Sequence, residues 1–241
     1  MKRLKIVLFV IMISLFVAGC SGVGATANDK LSKEDVIKKA ADSFNNLKSL
    51  SQETDINLIF DMIDNQGTQK IELDSEVIYD KKHNPETVLT KTTSVYGDEK
   101  TSFDFYKDLE SMYINEGDGW VDYNSSENYG TTYKPILDTF LNVANDFEME
   151  ETDSSYKFTL TGKNGNIYRT VGTPYNFKYT GIADDDIELD IIYIIEKEDM
   201  VLKEMEIKTR GVIDDKNNVS INASTEFDDF NDVKIEKPDL M

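Results

Sequence analysis

The chain predicts an α+β domain: one helix, a long antiparallel meander, a second helix within it, then more meander. Two observations carry this expectation. The apolar period changes from the helical 3.6 to the strand value of 2 shortly after residue 48 and returns to helical spacing near residue 135. The chain also has only four prolines and no low-complexity block after residue 30, which argues for a single domain. No repeat of about 20 to 50 residues is visible.

Ser32 precedes Lys33-Glu34-Asp35, a spacing that can cap a helix and place acids at its positive end. Val36, Ile37, Ala40, Ala41, Phe44 and Leu47 then recur at helical spacing, so residues 33–48 are expected to be an amphipathic helix. Ile56, Leu58, Phe60 and Met62 lie on one face of a strand, Asn65-Gln66-Gly67 is expected to turn the chain, and Ile71, Leu73, Val77 and Tyr79 return it. Lys82 to Pro85 is a second turn. The Thr-rich stretch 87–96 and the pairs Phe103 with Phe105 and Met112 with Ile114 give further strands. Gly117-Asp118-Gly119 makes a tight hairpin into Trp120 to Tyr123.

Pro135 is well placed in a helical first turn, and Ile136, Leu137, Phe140, Leu141, Val143 and Ala144 form an apolar stripe over 135–146. Tyr156 to Leu160 resumes the strands. Residues 163–186 show no clear pattern. Three strands follow, around Ile187 to Ile195, Val201 to Arg210 and Val219 to Phe227, with a turn at Asp214 to Asn218. Two amphipathic helices cannot cover both faces of about ten strands. Either the sheet curls around the helices or it keeps a lined cavity.

The first 19 residues resemble a bacterial lipoprotein signal peptide. Lys2, Arg3 and Lys5 introduce the apolar run Ile6 to Val17, and Val17-Ala18-Gly19-Cys20 resembles a lipobox. The run is about a dozen residues, against roughly 20 for a membrane-spanning helix. The expectation is cleavage before Cys20, a lipid on its thiol, a tether over 20–31, and an ectodomain over 32–241 on the extracellular face of the membrane. Cys20 is the only cysteine, so no disulfide supports the fold.

Loss of a segment with three positive and no negative side chains takes the formal charge from −20 to −23. So acidic a surface lacks the basic footprint needed to bind nucleic acid. His83 is the sole histidine and sits in a charged turn, which leaves no histidine-based hydrolase mechanism in view. Zinc needs several His or Cys ligands, and no metal or cofactor is expected. Asn115 to Gly119 resembles the start of a calcium loop, but the twelfth position is Ser126, so a glycine hairpin is the expected structure. No pair of the 46 acidic residues stands out as a catalytic couple, and phosphate-binding glycine motifs are absent.

Several segments together resemble the LolA-like lipoprotein superfamily, including its LppX/LprG-type members. They are the lipobox Cys20, the first helix ending near Asn46-Leu47-Lys48-Ser49-Leu50, the hairpin Met112-Tyr113-Ile114 with Gly117 to Val121, and the tail Phe230 to Pro238 as a closing strand. The likeness covers nearly the whole mature chain and extends to uncharacterised extracellular lipoproteins of Gram-positive bacteria. It implies a curved antiparallel β-sheet, an unclosed half-barrel, with two main helices packed on the concave face. It also implies a non-enzymatic protein that holds a lipid or acylated ligand between sheet and helices.

On that expectation the candidate lining is Phe44, Leu47, Leu58, Phe60, Ile71, Leu73, Phe140, Leu141, Leu189, Ile191 and Tyr193. An interior of at most ~100 Å³, below the usual ligand-pocket range, would exclude it. The alternative is a closed core whose exposed aromatics near Trp120 and Tyr129 contact a protein partner of the envelope, which the sequence does not identify.

Overall fold

Ser32 starts the first helix as its spacing from Asp35 predicts. In the computed structural model, which describes residues 30–63, 65–123 and 131–239, the Ser32 hydroxyl accepts from the Asp35 amide at 3.1 Å. The Asp35 carboxylate in turn accepts from the Ser32 amide at 3.3 Å. Helix α1 runs Lys33–Ser43 and ends in a 3₁₀ turn, Phe44–Asn46. The described residues from Ser32 onward cluster as one compact unit. Cys20 and residues 1–19, expected to be a signal peptide, lie outside the described residues.

The first wing of the sheet is a six-strand meander. It comprises β1 (Ser49–Met62), β2 (Asn65–Tyr79), β3 (Pro85–Tyr96), β4 (Glu99–Lys107), β5 (Met112–Asn115) and β6 (Trp120–Asp122). The second wing comprises β7 (Glu148–Glu151), β8 (Ser155–Lys163), β9 (Glu188–Glu196), β10 (Leu202–Asp214) and β11 (Asn217–Asp228). Antiparallel pairing of β1 with β11 joins the wings into one 11-stranded sheet, in the order β6-β5-β4-β3-β2-β1-β11-β10-β9-β8-β7. Every ladder is antiparallel, and the edge strands β6 and β7 do not pair, so the curved sheet stays an unclosed half-barrel.

This topology dictates where the second helix must lie. The chain leaves the sheet at one edge, β6, and re-enters at the other, β7, so the connection crosses the sheet face. It carries α2, Tyr133–Val143, with Pro135 in its first turn. Its apolar stripe packs on the second wing: the Phe140 ring meets Phe158 at 4.9 Å edge to face and Tyr193 at 5.0 Å. Tyr133 lies against Phe227 at 4.8 Å, and its hydroxyl accepts from the Leu202 amide at 2.9 Å.

Three details differ from the sequence expectation. The turn expected at Asn65-Gln66-Gly67 falls earlier: Met62 already pairs with Asn65, and Gln66 and Gly67 belong to β2. The unreadable stretch contains a third helix, α3 (Gly165–Gly172), capped by Asn164, whose side chain accepts from the amides of Asn166 and Ile167. The tail Phe230 to Pro238 is not a strand. It is tied instead by single bonds, Asn231 N to Ser49 O at 2.8 Å and Lys237 Nζ to Asp108 at 3.0 Å. At Gly117 and Gly119 φ is +117° and +112°, and Asn115 accepts from both amides. That makes the segment a glycine hairpin.

Candidate functional site

The helices cover the second wing and leave the inner face of the first wing partly open. Alternation fixes what that face carries. Register places Phe227, Gln52, Ser75, Thr90 and Phe105 side by side across five strands, and beside them Thr225, Thr54, Leu73, Thr92 and Phe103. The centre of this inner face is therefore a band of hydroxyl and amide groups between apolar ends.

Side-chain bonds knit the band. Thr54 and Thr225 hydroxyls lie 3.0 Å apart, Ser75 and Thr90 also 3.0 Å, and Tyr175 reaches the Thr225 hydroxyl at 2.7 Å. Gln52 Nε2 donates to Thr54 Oγ1 at 3.1 Å and to the Thr131 carbonyl at 2.9 Å. Gln52 is 3% exposed and Thr92 8%, yet Gln52 Oε1 and Thr92 Oγ1 have no hydrogen-bond partner among the described residues. Buried polar atoms are normally paired, so two orphans on one face are a departure from the rule.

Two cavities meet above this face. One of about 270 Å³ is floored by Gln52, Thr54, Ile56, Ile71, Leu73 and Ser75 and walled by Thr131, Pro174, Tyr175 and Asn176. Sharing Thr131 and Pro174 with it, a second of about 560 Å³ extends over Val88, Phe105 and Lys107 toward His83, Lys134, Pro135 and Asp138. Both lie far above the volume that would exclude a ligand.

Lysines outnumber acids around the larger cavity, against the acidic balance of the molecule. Lys107, Lys134 and His83 face one acid, Asp138, which Lys134 engages at 2.5 Å. Lys134 also sits over the Phe44 ring at 5.6 Å. His83 Nε2 lies 2.9 Å from the Asn45 carbonyl oxygen, and its ring rests on Phe44 at 5.2 Å. These contacts anchor the turn to the end of α1. Burial pushes the Tyr175 phenol well above its ordinary value, against the opposing Thr225 hydrogen bond. It is a neutral hydrogen-bonding group at physiological pH.

The structure divides the predicted lining residues. Ile71 and Leu73 floor the smaller cavity. Leu58 and Phe60 continue the face of Ile56 along β1 and are partly exposed. Phe44 and Leu47 are buried at the end of α1, Phe44 forming the wall behind His83. Phe140, Leu189, Ile191 and Tyr193 are packed in the second wing, and Leu141 is half-buried on α2; none of these five lines either cavity. Gln52, Thr54, Ser75, Val88, Phe105 and Lys107 escaped the sequence reading. The signal for Lys107 is the alternation Phe103, Phe105, Lys107, which carries a lysine onto the inner face. Trp120 is half-buried in edge strand β6, while Tyr129 lies outside the described residues.

Residues 32–240 match a family described as a family of unknown function, DUF6612. The chain belongs to the DUF6612 family. No curated protein matches the sequence. Among solved structures, this DUF6612 chain is similar to LprF from Mycobacterium bovis, with TM-score 0.52 and 15% identity over 86% of this chain and 96% of LprF. That likeness shows a shared fold. A DUF1329-family protein from Desulfovibrio piger (TM-score 0.25, 9% identity, 84% and 94% coverage) and a porin-like protein from Bacteroides uniformis (0.26, 7%, 76% and 96%) match far more loosely.

Proposed function

We propose that this DUF6612 protein is a non-enzymatic lipoprotein, anchored through acylated Cys20 on the extracellular face of the membrane, that holds a lipid or acyl ligand in the cleft of its first wing. The observation that carries the reading is the pair of adjoining cavities, about 560 and 270 Å³, between the sheet and the residues leading into α2. Their size is that of a small-molecule site. Their floor combines apolar Ile56, Ile71 and Leu73 with a few polar groups, the usual make-up of such a site. The LolA-like resemblance supports an acylated ligand over other hydrophobic ones. Two or three acyl chains on Cys20, at about 0.8 kcal/mol per buried CH₂, amount to permanent attachment.

Native mass spectrometry of the protein released from its membrane tests the reading. A non-covalent lipid adduct is expected in the wild type and reduced occupancy in Leu73→Trp, which fills the smaller cavity. Bare protein under conditions that retain other lipid adducts overturns it. Cys20→Ser is expected to move the protein from the membrane fraction to the medium; retention in the membrane would refute the anchor.

A further inference from the structure

The charge at the cleft is the opposite of the charge of the chain. Acidic residues outnumber Lys and Arg by 46 to 26, but the larger cavity is lined by two lysines and a histidine against a single aspartate. Lys134 and Asp138 neutralise one another. Lys107 has no ion-pair partner among the described residues. It stands opposite Val88 in the β3–β4 ladder, two positions from buried Phe105, on the face turned toward the helices. Lys107 is half-buried and lines the open cleft beside Val88 and Phe105, where its side chain is available to an anion. The same cavity opens directly onto the apolar floor of Ile56, Ile71 and Leu73 through the shared walls Thr131 and Pro174.

We infer that the cleft selects a monoanionic, single-chain amphiphile, a long-chain carboxylate, with its head held by Lys107 beside Lys134 and His83 and its chain laid over Ile71 and Leu73. One uncompensated lysine matches one negative charge. Cavities of this size match one chain better than several. An ammonium–carboxylate contact is a charge-assisted hydrogen bond, strengthened where apolar walls exclude water. The strongly acidic exterior then works as a filter: an anion is repelled from most of the surface and finds attraction chiefly at this mouth. The inference rests on the lipid-holding reading and specifies its ligand.

The test uses the full chain in phosphatidylcholine nanodiscs, with photoactivatable hexadecanoate and photoactivatable hexadecanol as probes and peptide mass spectrometry to locate the adducts. Hexadecanoate is expected to label peptides carrying Ile71, Leu73 or Val88 about tenfold more than hexadecanol, the scale of one charged hydrogen bond. Lys107→Gln is expected to remove that preference and Lys107→Arg to keep it. Circular dichroism of both variants confirms that they fold. Equal labelling of the cleft by acid and alcohol, unchanged in Lys107→Gln, overturns the charge selection and leaves the lipid-holding reading intact. Cleft peptides labelled by neither probe overturn both.

Discussion

Gln52 Nε2 donates to the carbonyl oxygen of Thr131 at 2.9 Å, and this bond ties the floor of the cleft to its wall across 79 positions of chain. A carbonyl only accepts, so the contact also settles the orientation of the amide. The other amide atom, Oε1, has no partner among the described residues. Gln52→Leu keeps the approximate volume but leaves Thr131 O without its donor, a cost of about 1–3 kcal/mol. A urea unfolding midpoint lowered at unchanged slope would report it; an unchanged midpoint would show that the bond contributes nothing net.

Core and cleft positions should respond differently to truncation. Phe140 is fully buried between Phe158 and Tyr193, so Phe140→Ala is expected to destabilise by about 3–5 kcal/mol. Leu73 is only half-buried above an existing cavity, and Leu73→Ala should cost less than about 2 kcal/mol. Equilibrium unfolding of the two variants side by side checks the order. Equal losses would mean that the cleft is packed as tightly as the core.

Acid should release the C-terminal tail. Burial acts to raise the Asp108 carboxyl, but hydrogen bonds from the Glu110 amide, the Ser111 hydroxyl, Lys237 and the Ser111 amide outweigh it and hold the group well below the carboxylate range. The folded value lies below the unfolded one, near 4. Its stabilisation is therefore complete above about pH 4 and is lost as pH falls through the folded value. Lys237 grips Asp108 at 3.0 Å and Ser111 at 2.9 Å. Hydrogen exchange over residues 231–239 should rise below about pH 4 in the wild type, and in Asp108→Asn should already be fast at neutral pH.

The strands and helices were legible because their periods are clean. Ile187, Leu189, Ile191, Tyr193 and Ile195 alternate without a break, and all five are buried. Helix α3 was not, since its eight residues contain two glycines and it begins directly behind a strand. The cleft was half legible. Ile71 and Leu73 announce themselves as apolar, but Gln52, Thr54 and Ser75 read as ordinary polar strand residues until the register sets them on one inner face. Phe140 and Tyr193 look equally fit to line a pocket. Only the crossing of α2 over the second wing decides that they fill space instead of enclosing it.

The clearest link between a backbone position and a titration is at Gly211. A Cβ there would come within 2.6 Å of Ile182 Cδ1 and 3.0 Å of the Tyr179 ring, so the glycine lets both side chains lie flat on β10. The Tyr179 hydroxyl bonds the Thr209 hydroxyl at 2.8 Å. Burial pushes this phenol up to about 12, opposed by the Thr209 hydrogen bond and reinforced by Tyr168. Because the folded value is raised above the usual 10, the stabilisation is complete below about pH 10 and is lost as pH rises through about 12. Gly211→Ala must displace the ring and admit water, which brings the phenol back toward 10. Its Tyr179 phenol should ionise at lower pH than in the wild type, followed by tyrosinate absorbance, and its stability should fall less steeply between about pH 10 and 12, followed by circular dichroism. Tyr179→Phe, which has no proton to lose there, should show less of that alkaline loss than the wild type. Identical alkaline transitions in all three proteins would separate Gly211 from the titration altogether.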